Sequence, residues 1–192
     1  MKTLVKNIRA IDPALGLDEV CDILIEGEQI VEVGQDLSAD GAEVLDRTGC
    51  IVVPGLVDVH VHLRDPGQEY KETIETGTAA AAHGGFTGIC SMPNTTPTTD
   101  NAATIDYVLD RAQSAGHCRV YPSGACTMGL KGESLAEIGD MAAHGAVAFT
   151  DDGRGVQSAG MMRRVMDYAK MFGCVVMSHC QDEELVGPGQ VN

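Results

Sequence analysis

The sequence predicts an α/β protein: a short β-rich stretch, then a series of strand-helix units that build a curved parallel sheet. Three observations lead there. From residue 56 onward, β-type runs alternate with helical segments, most of them stopped by glycine. Glycine is frequent at 23 residues while aromatics make up only 4%, with no Trp, a composition that suits helices packed closely on parallel strands. Residues 1–53 keep a different rhythm, with short β runs separated by Asp-Pro and Gly-Glu turn signals.

Within residues 1–53 the β-type runs are 4–8, 22–26 and 29–34, enough for a small, shallow sheet. Ile51-Val52-Val53-Pro54-Gly55 then leads into a strand over 56–62. Residues 71–83 read as a helix stopped by Gly84-Gly85, 87–92 as a second strand, 101–115 as a helix opened by Asp100, and 117–125 as a third strand. A helix over 133–144 stopped by Gly145, a strand over 146–150, a helix over 158–172 with Gly173 as its C-cap, and a strand over 174–179 complete the series. Crossovers between parallel strands share one hand, so five such units curve toward a (β/α)₈ barrel or a doubly wound sheet. Five strands do not close a barrel, which runs to roughly 250 residues. The 192 residues are therefore expected to be the N-terminal part of a larger enzyme, divided into 1–53 and 54–192.

The 13 Lys+Arg against 28 Asp+Glu give a net charge of −15, which argues against nucleic acid and anionic membrane, since both need a basic face. With 44% hydrophobic and 21% charged residues, the chain has the apolar material for a core and is not a disordered acidic tail. The seven cysteines are scattered and never form C-x-x-C, so neither a disulfide framework nor a Cys-based zinc ribbon is expected. Lys2, Lys6 and Arg9 interrupt any apolar leader, and no run approaches a membrane span, so a cytoplasmic location is expected.

His60 and His62 stand two apart at the C-terminal end of the first barrel-type strand, so both imidazoles project to the same side, where barrel enzymes place their chemistry. Two neutral imidazoles so placed form a pair of metal ligands; alone, they are equally two half-exposed histidines at a strand end. Ligand types recur at later strand ends: Asp151-Asp152-Gly153 after the fourth strand and Ser178-His179-Cys180 at the fifth. An Asp-Gly turn and a core histidine would explain each of these singly. Their coincidence at successive strand ends favours a metal. His83, His117 and His144 lie away from those ends and read as structural or exposed, and Cys90 and Cys180 as small core residues.

Four motifs in order, Val57-Asp58-Val59-His60-Val61-His62-Leu63-Arg64-Asp65-Pro66-Gly67, Ser91-Met92-Pro93-Asn94-Thr95, Phe149-Thr150-Asp151-Asp152-Gly153 and Ser178-His179-Cys180, resemble the dihydroorotases of the amidohydrolase superfamily. The likeness is to the bacterial type in which an aspartate bridges two zinc ions, and it covers the whole chain. It implies a partial (β/α)₈ metal-dependent hydrolase barrel, with residues 1–53 belonging to a small β-sandwich domain. It makes His60 and His62 ligands of the first zinc, Asp152 the bridging carboxylate and His179 a ligand of the second. A carboxylate has two oxygens and can span two cations. No lysine sits at the end of the fourth strand to serve as a carbamylated bridge.

The resemblance also assigns Arg64, Asn94 and His62 to the substrate α-carboxylate. A guanidinium can hold a carboxylate bidentately and an amide can donate to it, whereas a salt bridge from Arg64 to Asp65 or Glu69 and a Pro-Asn turn are the plainer readings of those residues. The implied reaction is the reversible cyclisation of N-carbamoyl-L-aspartate to L-dihydroorotate in pyrimidine synthesis. Its general acid/base aspartate and a further zinc histidine come, in the family, from later strands, so no catalytic acid/base is assigned within these residues. A homodimer and association with aspartate carbamoyltransferase are compatible with the resemblance. Two other readings are a sister cyclic amidohydrolase, such as an allantoinase or dihydropyrimidinase, and a non-catalytic scaffold for aspartate carbamoyltransferase. Against the first stands Arg64, which an uncharged ring would leave without a carboxylate; against the second, the retained His60, His62, Asp152 and His179.

Overall fold

The computed structural model describes residues 1–38 and 40–186. The chain divides into two compact units, Met1–Pro54 and Gly55–Asn192. In the first, β1 (Lys2–Asp12), β2 (Leu17–Glu26), β3 (Gln29–Gly34), β4 (Glu43–Asp46) and β5 (Ile51–Val52) form one sheet in the order β3-β2-β1-β4, with β5 also on β1. The sheet has two more strands than the β-type runs suggest. Both are short and pair in parallel with β1, so their formation depends on a partner distant in sequence.

A bulge in β1 between Val5 and Ile8 puts Asn7 at φ 60°, from where its N–H donates to Asp22 Oδ1 at 3.0 Å. Leu37 N–H donates to the other oxygen at 3.1 Å and Lys6 Nζ lies 3.4 Å away. Burial works against the charge on Asp22, yet these donors hold its carboxyl below the usual range. Ile8, Ala10, Cys21 and Ile23 pack beside it as the core of this unit.

The second unit holds β6 (Leu56–Val61), β7 (Phe86–Ser91), β8 (Arg119–Gly124), β9 (Ala148–Phe149) and β10 (Val175–Val176), alternating with α1 (Ile74–His83), α2 (Ala102–Ala115), α3 (Ile138–Ala143) and α4 (Ala159–Met171), and closing with α5 (Glu183–Val186). All neighbouring strands are parallel and the order is β10-β9-β8-β7-β6. Sequential order without a reversal has no switch point, which separates a barrel arc from a doubly wound sheet. Phe149, Ile138, Met141, Val165 and Ile105 make one core cluster, and Leu63, Ile74, Ile89, Val108 and Val120 another. On the outermost strands Val57, Val59 and Val175 are exposed. Among the described residues no helix is long and apolar enough to cross a membrane.

Several element ends differ from expectation. The helix expected from residue 71 begins at Ile74, because Lys71 N–H closes a turn on Gln68 O (2.9 Å) and Thr73 caps the helix by accepting from Thr76 N–H. Asn101, not Asp100, caps α2 and accepts from Thr104 N–H at 3.2 Å, while Asp100 accepts from Gly129 N–H at 2.8 Å. The helix expected over 133–144 shrinks to Ile138–Ala143, since Ser134 and Ala136 are bonded to Met128 and Cys126 instead. Phe172 caps α4, with Gly173 one residue later at φ 69°.

The loops that follow β6 and β7 are locked together at one glycine. Gly67 has φ 90°, and a Cβ there would stand 1.7 Å from Thr96 O, so only glycine permits the approach. Thr96 N–H donates to Pro66 O at 3.0 Å beside it. The Arg64 turn is thereby tied to the segment that follows Asn94.

Candidate metal centre

β6 ends at Val61, but the alternation continues far enough to send the rings of His60 and His62 to the same carboxylate. His60 Nε2 lies 3.4 Å from Asp152 Oδ1 and His62 Nε2 lies 3.5 Å from Asp152 Oδ2. The two rings meet edge to face with centroids 5.3 Å apart. Ligand atoms of His60, His62 and Asp152 fall within 4.8 Å of one another. His179, in the loop after β10, brings Nδ1 to 3.7 Å from Asp152 Oδ1. Both oxygens of one carboxylate therefore face imidazoles, Oδ1 those of His60 and His179 and Oδ2 that of His62. Asp152 is only 6% exposed, so its charge is poorly hydrated and must be offset by neighbours. Two or three imidazoles around a carboxylate suit a divalent transition metal.

Asn94 joins the two sides of this group. Its Nδ2 donates to Asp152 Oδ2 at 2.9 Å and its Oδ1 lies 3.0 Å from His62 Nδ1. Arg64 lies beyond the strand, at φ 60°, so strand alternation does not extend to it. Among the described residues its guanidinium forms no hydrogen bond or ion pair. The expected alternatives for it are taken up elsewhere: Asp65 is buried and accepts from Tyr107 Oη at 2.8 Å with Arg111 Nε at 3.9 Å, and Glu69 accepts from Gly67 N–H at 2.7 Å. The hydrogen bond from Tyr107 to Asp65 raises the phenol above its usual range.

Asp151 turns away from the imidazoles. It accepts from the N–H groups of Cys126 and Thr127 at 2.8 and 3.0 Å and from the Thr127 hydroxyl, tying the end of β9 to the segment after β8. Burial pushes its carboxyl up, although these donors pull it back. Burial, with the Asp151 charge beside it, also pushes the Cys126 thiol up. His144 pairs with Asp106 on the outer helices, and His83 and His117 are exposed. Cys90 is buried as expected, whereas Cys180 is exposed: the chain after Val176 is loop, so the side chain has no core to enter.

Three supporting residues escaped the reading of the sequence. Gln157 holds the His179 loop, donating to Gln181 O at 2.9 Å and accepting from Glu183 N–H at 3.0 Å. Lys131 and Arg154 line an open cleft of about 470 Å³ together with Asn94 and Asp152. Their position in loops after parallel strands was the available signal, but nothing in the local pattern marked these polar residues out.

A parallel arc with nitrogen and carboxylate donors gathered at the C-terminal ends of its strands has its candidate metal ligands where (β/α)₈ barrel proteins carry their sites. The L-hydantoinase (dihydropyrimidinase) from Arthrobacter aurescens superposes with a TM-score of 0.83 at 26% identity, over 96% of this chain and 42% of that one. The D-hydantoinase (dihydropyrimidinase) from a Thermus species gives 0.72 at 30% identity, over 96% and 41%. Residues 49–192 match the Dihydro-orotase-like family, and the chain belongs to it. It is 56% identical over its whole length to the dihydroorotase of Syntrophotalea carbinolica and 53% identical to that of Geobacter sulfurreducens. In each case it spans 45% of the relative, less than half its length.

Proposed function

We propose that the protein carrying this chain is a dihydroorotase that interconverts N-carbamoyl-L-aspartate and L-dihydroorotate with two zinc ions. The observation that carries the reading is the convergence of His60, His62 and His179 on both oxygens of Asp152, with Arg64 in the turn that follows. His60, His62 and Asp152 would hold the first zinc, and Asp152 with His179 the second. When bound, zinc supplies Lewis acidity, which polarises a carbonyl and lowers the pKa of water from 15.7 to about 7.

The chain's own residues select and orient the substrate. Arg64 offers a planar fork to the α-carboxylate. The Asn94 amide has two hydrogens, and only one is used on Asp152, so the second is available to the same carboxylate, whereas His62, with Nε2 given to zinc and Nδ1 facing Asn94, has no ring nitrogen left for it. The general acid/base is assigned to a segment outside these 192 residues, since the relatives are more than twice as long. On this reading residues 1–53 are the N-terminal part of a small β-sandwich domain and residues 54–192 the N-terminal part of a (β/α)₈ amidohydrolase barrel. The protein would act in the cytoplasm, where free thiols persist. Homodimerisation and association with aspartate carbamoyltransferase belong to the same proposal and are read by sedimentation of the intact protein with and without that enzyme.

The hydantoinase likeness in fold raises a second reading, hydrolysis of an uncharged cyclic amide. Identity to the dihydroorotases is about twice as high, and Arg64 has a partner only if the substrate is a carboxylate. The test is to assay the intact protein on dihydroorotate, hydantoin and dihydrouracil and to measure its zinc. Turnover confined to dihydroorotate is expected, and Arg64→Lys should raise KM about tenfold or more at unchanged zinc content. Turnover of the uncharged rings, or a wild-type KM in Arg64→Lys, would overturn the assignment.

A further inference from the structure

The hydrogen bonds around Asn94 can be assigned proton by proton. An ionised carboxylate only accepts, so the Asn94 atom 2.9 Å from Asp152 Oδ2 must be the NH₂ group. That fixes the amide orientation and leaves its carbonyl oxygen facing His62 Nδ1 at 3.0 Å. An amide oxygen has no proton, so the imidazole must supply it at Nδ1. An imidazole that donates at Nδ1 keeps Nε2 to ligate a cation, and Nε2 lies 3.5 Å from Asp152 Oδ2, the side on which the proposed metal would be held. Asp152 thus sets the amide, the amide sets the tautomer, and the tautomer presents the ligating nitrogen.

We propose that Asn94 is a positioning residue of the metal centre, which holds His62 as its Nδ1–H tautomer and fixes Asp152 Oδ2, in addition to any contact with substrate. The inference rests on the proposed metal site but not on the identity of the substrate. Metal-ligating histidines commonly donate their second ring N–H to a carboxylate or carbonyl, which fixes ring and tautomer, and loss of such a partner lowers metal affinity about 10- to 100-fold. An amide does more than a carboxylate could at this place. It accepts from the imidazole on one side and donates to an anion on the other, whereas an aspartate would stand against Asp152 as a like charge. Asn94 is only partly buried, at the edge of the cleft, and its position comes from the segment that Gly67 locks to Thr96.

The experiment compares the intact protein with Asn94→Ala and Asn94→Leu, the second of which fills a similar volume should the first fail to fold. Zinc affinity is measured by competition with a chelator in the absence of substrate. The Nδ1–H of His62 is read in the zinc-loaded protein from its ring ¹H and ¹⁵N shifts and its exchange with water. The expected results are an about 10- to 100-fold weaker zinc affinity and an upfield-shifted, faster-exchanging His62 Nδ1–H, with unchanged far-ultraviolet circular dichroism. Parental zinc affinity accompanied by a raised KM for dihydroorotate would overturn the proposal and leave Asn94 as a substrate contact alone. Parental zinc affinity with no substrate turned over by the unmodified protein would overturn both this inference and the dihydroorotase reading. Weakened affinity in an inactive protein would sink only the latter.

Discussion

Among the described residues of the barrel unit, aspartate and histidine side chains meet in two places, with different geometry. On the outer helices, His144 Nδ1 sits 2.9 and 3.0 Å from the two oxygens of Asp106, with Asp140 a further 4.0 Å from Nε2. That pair is exposed and closed to hydrogen-bond length. On the C-terminal face three imidazoles surround Asp152 at 3.4, 3.5 and 3.7 Å, all longer than a good hydrogen bond, around a carboxylate that is nearly buried. The outer pair satisfies itself. The inner group converges on a common region between its members, and a fifth residue, Asn94, takes the hydrogen bond of His62 Nδ1, the ring nitrogen that faces away from Asp152. Spacing, rather than composition, separates a surface ion pair from a ligand set.

The strongest way to break this comparison is to remove the shared carboxylate. Asp152→Ala in the intact protein should lower zinc affinity by more than about 100-fold, beyond the range for a supporting residue, and abolish turnover with it. Elemental analysis after gel filtration reads the outcome. Retained stoichiometric zinc would reduce the cluster to an electrostatic coincidence like the outer pair.

Asp151 sharpens the contrast from one residue away. Asp151→Ala removes the acceptor for two buried N–H groups and the Thr127 hydroxyl. Each buried group left unsatisfied costs roughly 1–3 kcal/mol, so the variant should lose on the order of 3 kcal/mol of stability. A shifted denaturation midpoint with parental zinc stoichiometry is expected. Lost zinc at unchanged stability would mean that the two aspartates had been assigned the wrong way round.

Much of this was legible in the sequence, and the remainder was not for identifiable reasons. The alternation from β6 to β10 and the stop residues fixed the order of elements, because local signals govern it. β4 and β5 were invisible because each exists only by pairing with β1, and residues 133–137 left the helix because Cys126 and Met128 hold them by bonds across the chain. His60, His62 and His179 could be picked out from their places at strand ends, which offered Asp151 and Asp152 alike; the choice of Asp152 came from the family resemblance. The roles of Asn94 toward His62 and of Gln157 toward the His179 loop could not, since both depend on which atoms face each other across loops.

The smallest expected effect lies in the outer pair. The hydrogen bond and charge of Asp106, with a further contribution from Asp140, raise the His144 pKa in the folded protein. A histidine with a raised folded pKa binds its proton more tightly in the native state, so its stabilisation is complete below the unfolded value of about 6.5 and is lost as pH rises through the raised folded value. The denaturation midpoint of the parent should therefore fall slightly across that window, and Asp106→Asn should flatten the fall while leaving zinc content untouched. Because the pair is exposed, added salt should diminish the difference between the two proteins. The measurement is a series of urea midpoints from about pH 5.5 to 8.5 at low and high salt, over which the unfolded histidine titrates. A pH dependence that survives in Asp106→Asn would move its source away from the outer helices, and a loss of zinc in that variant would erase the distinction between the two regions.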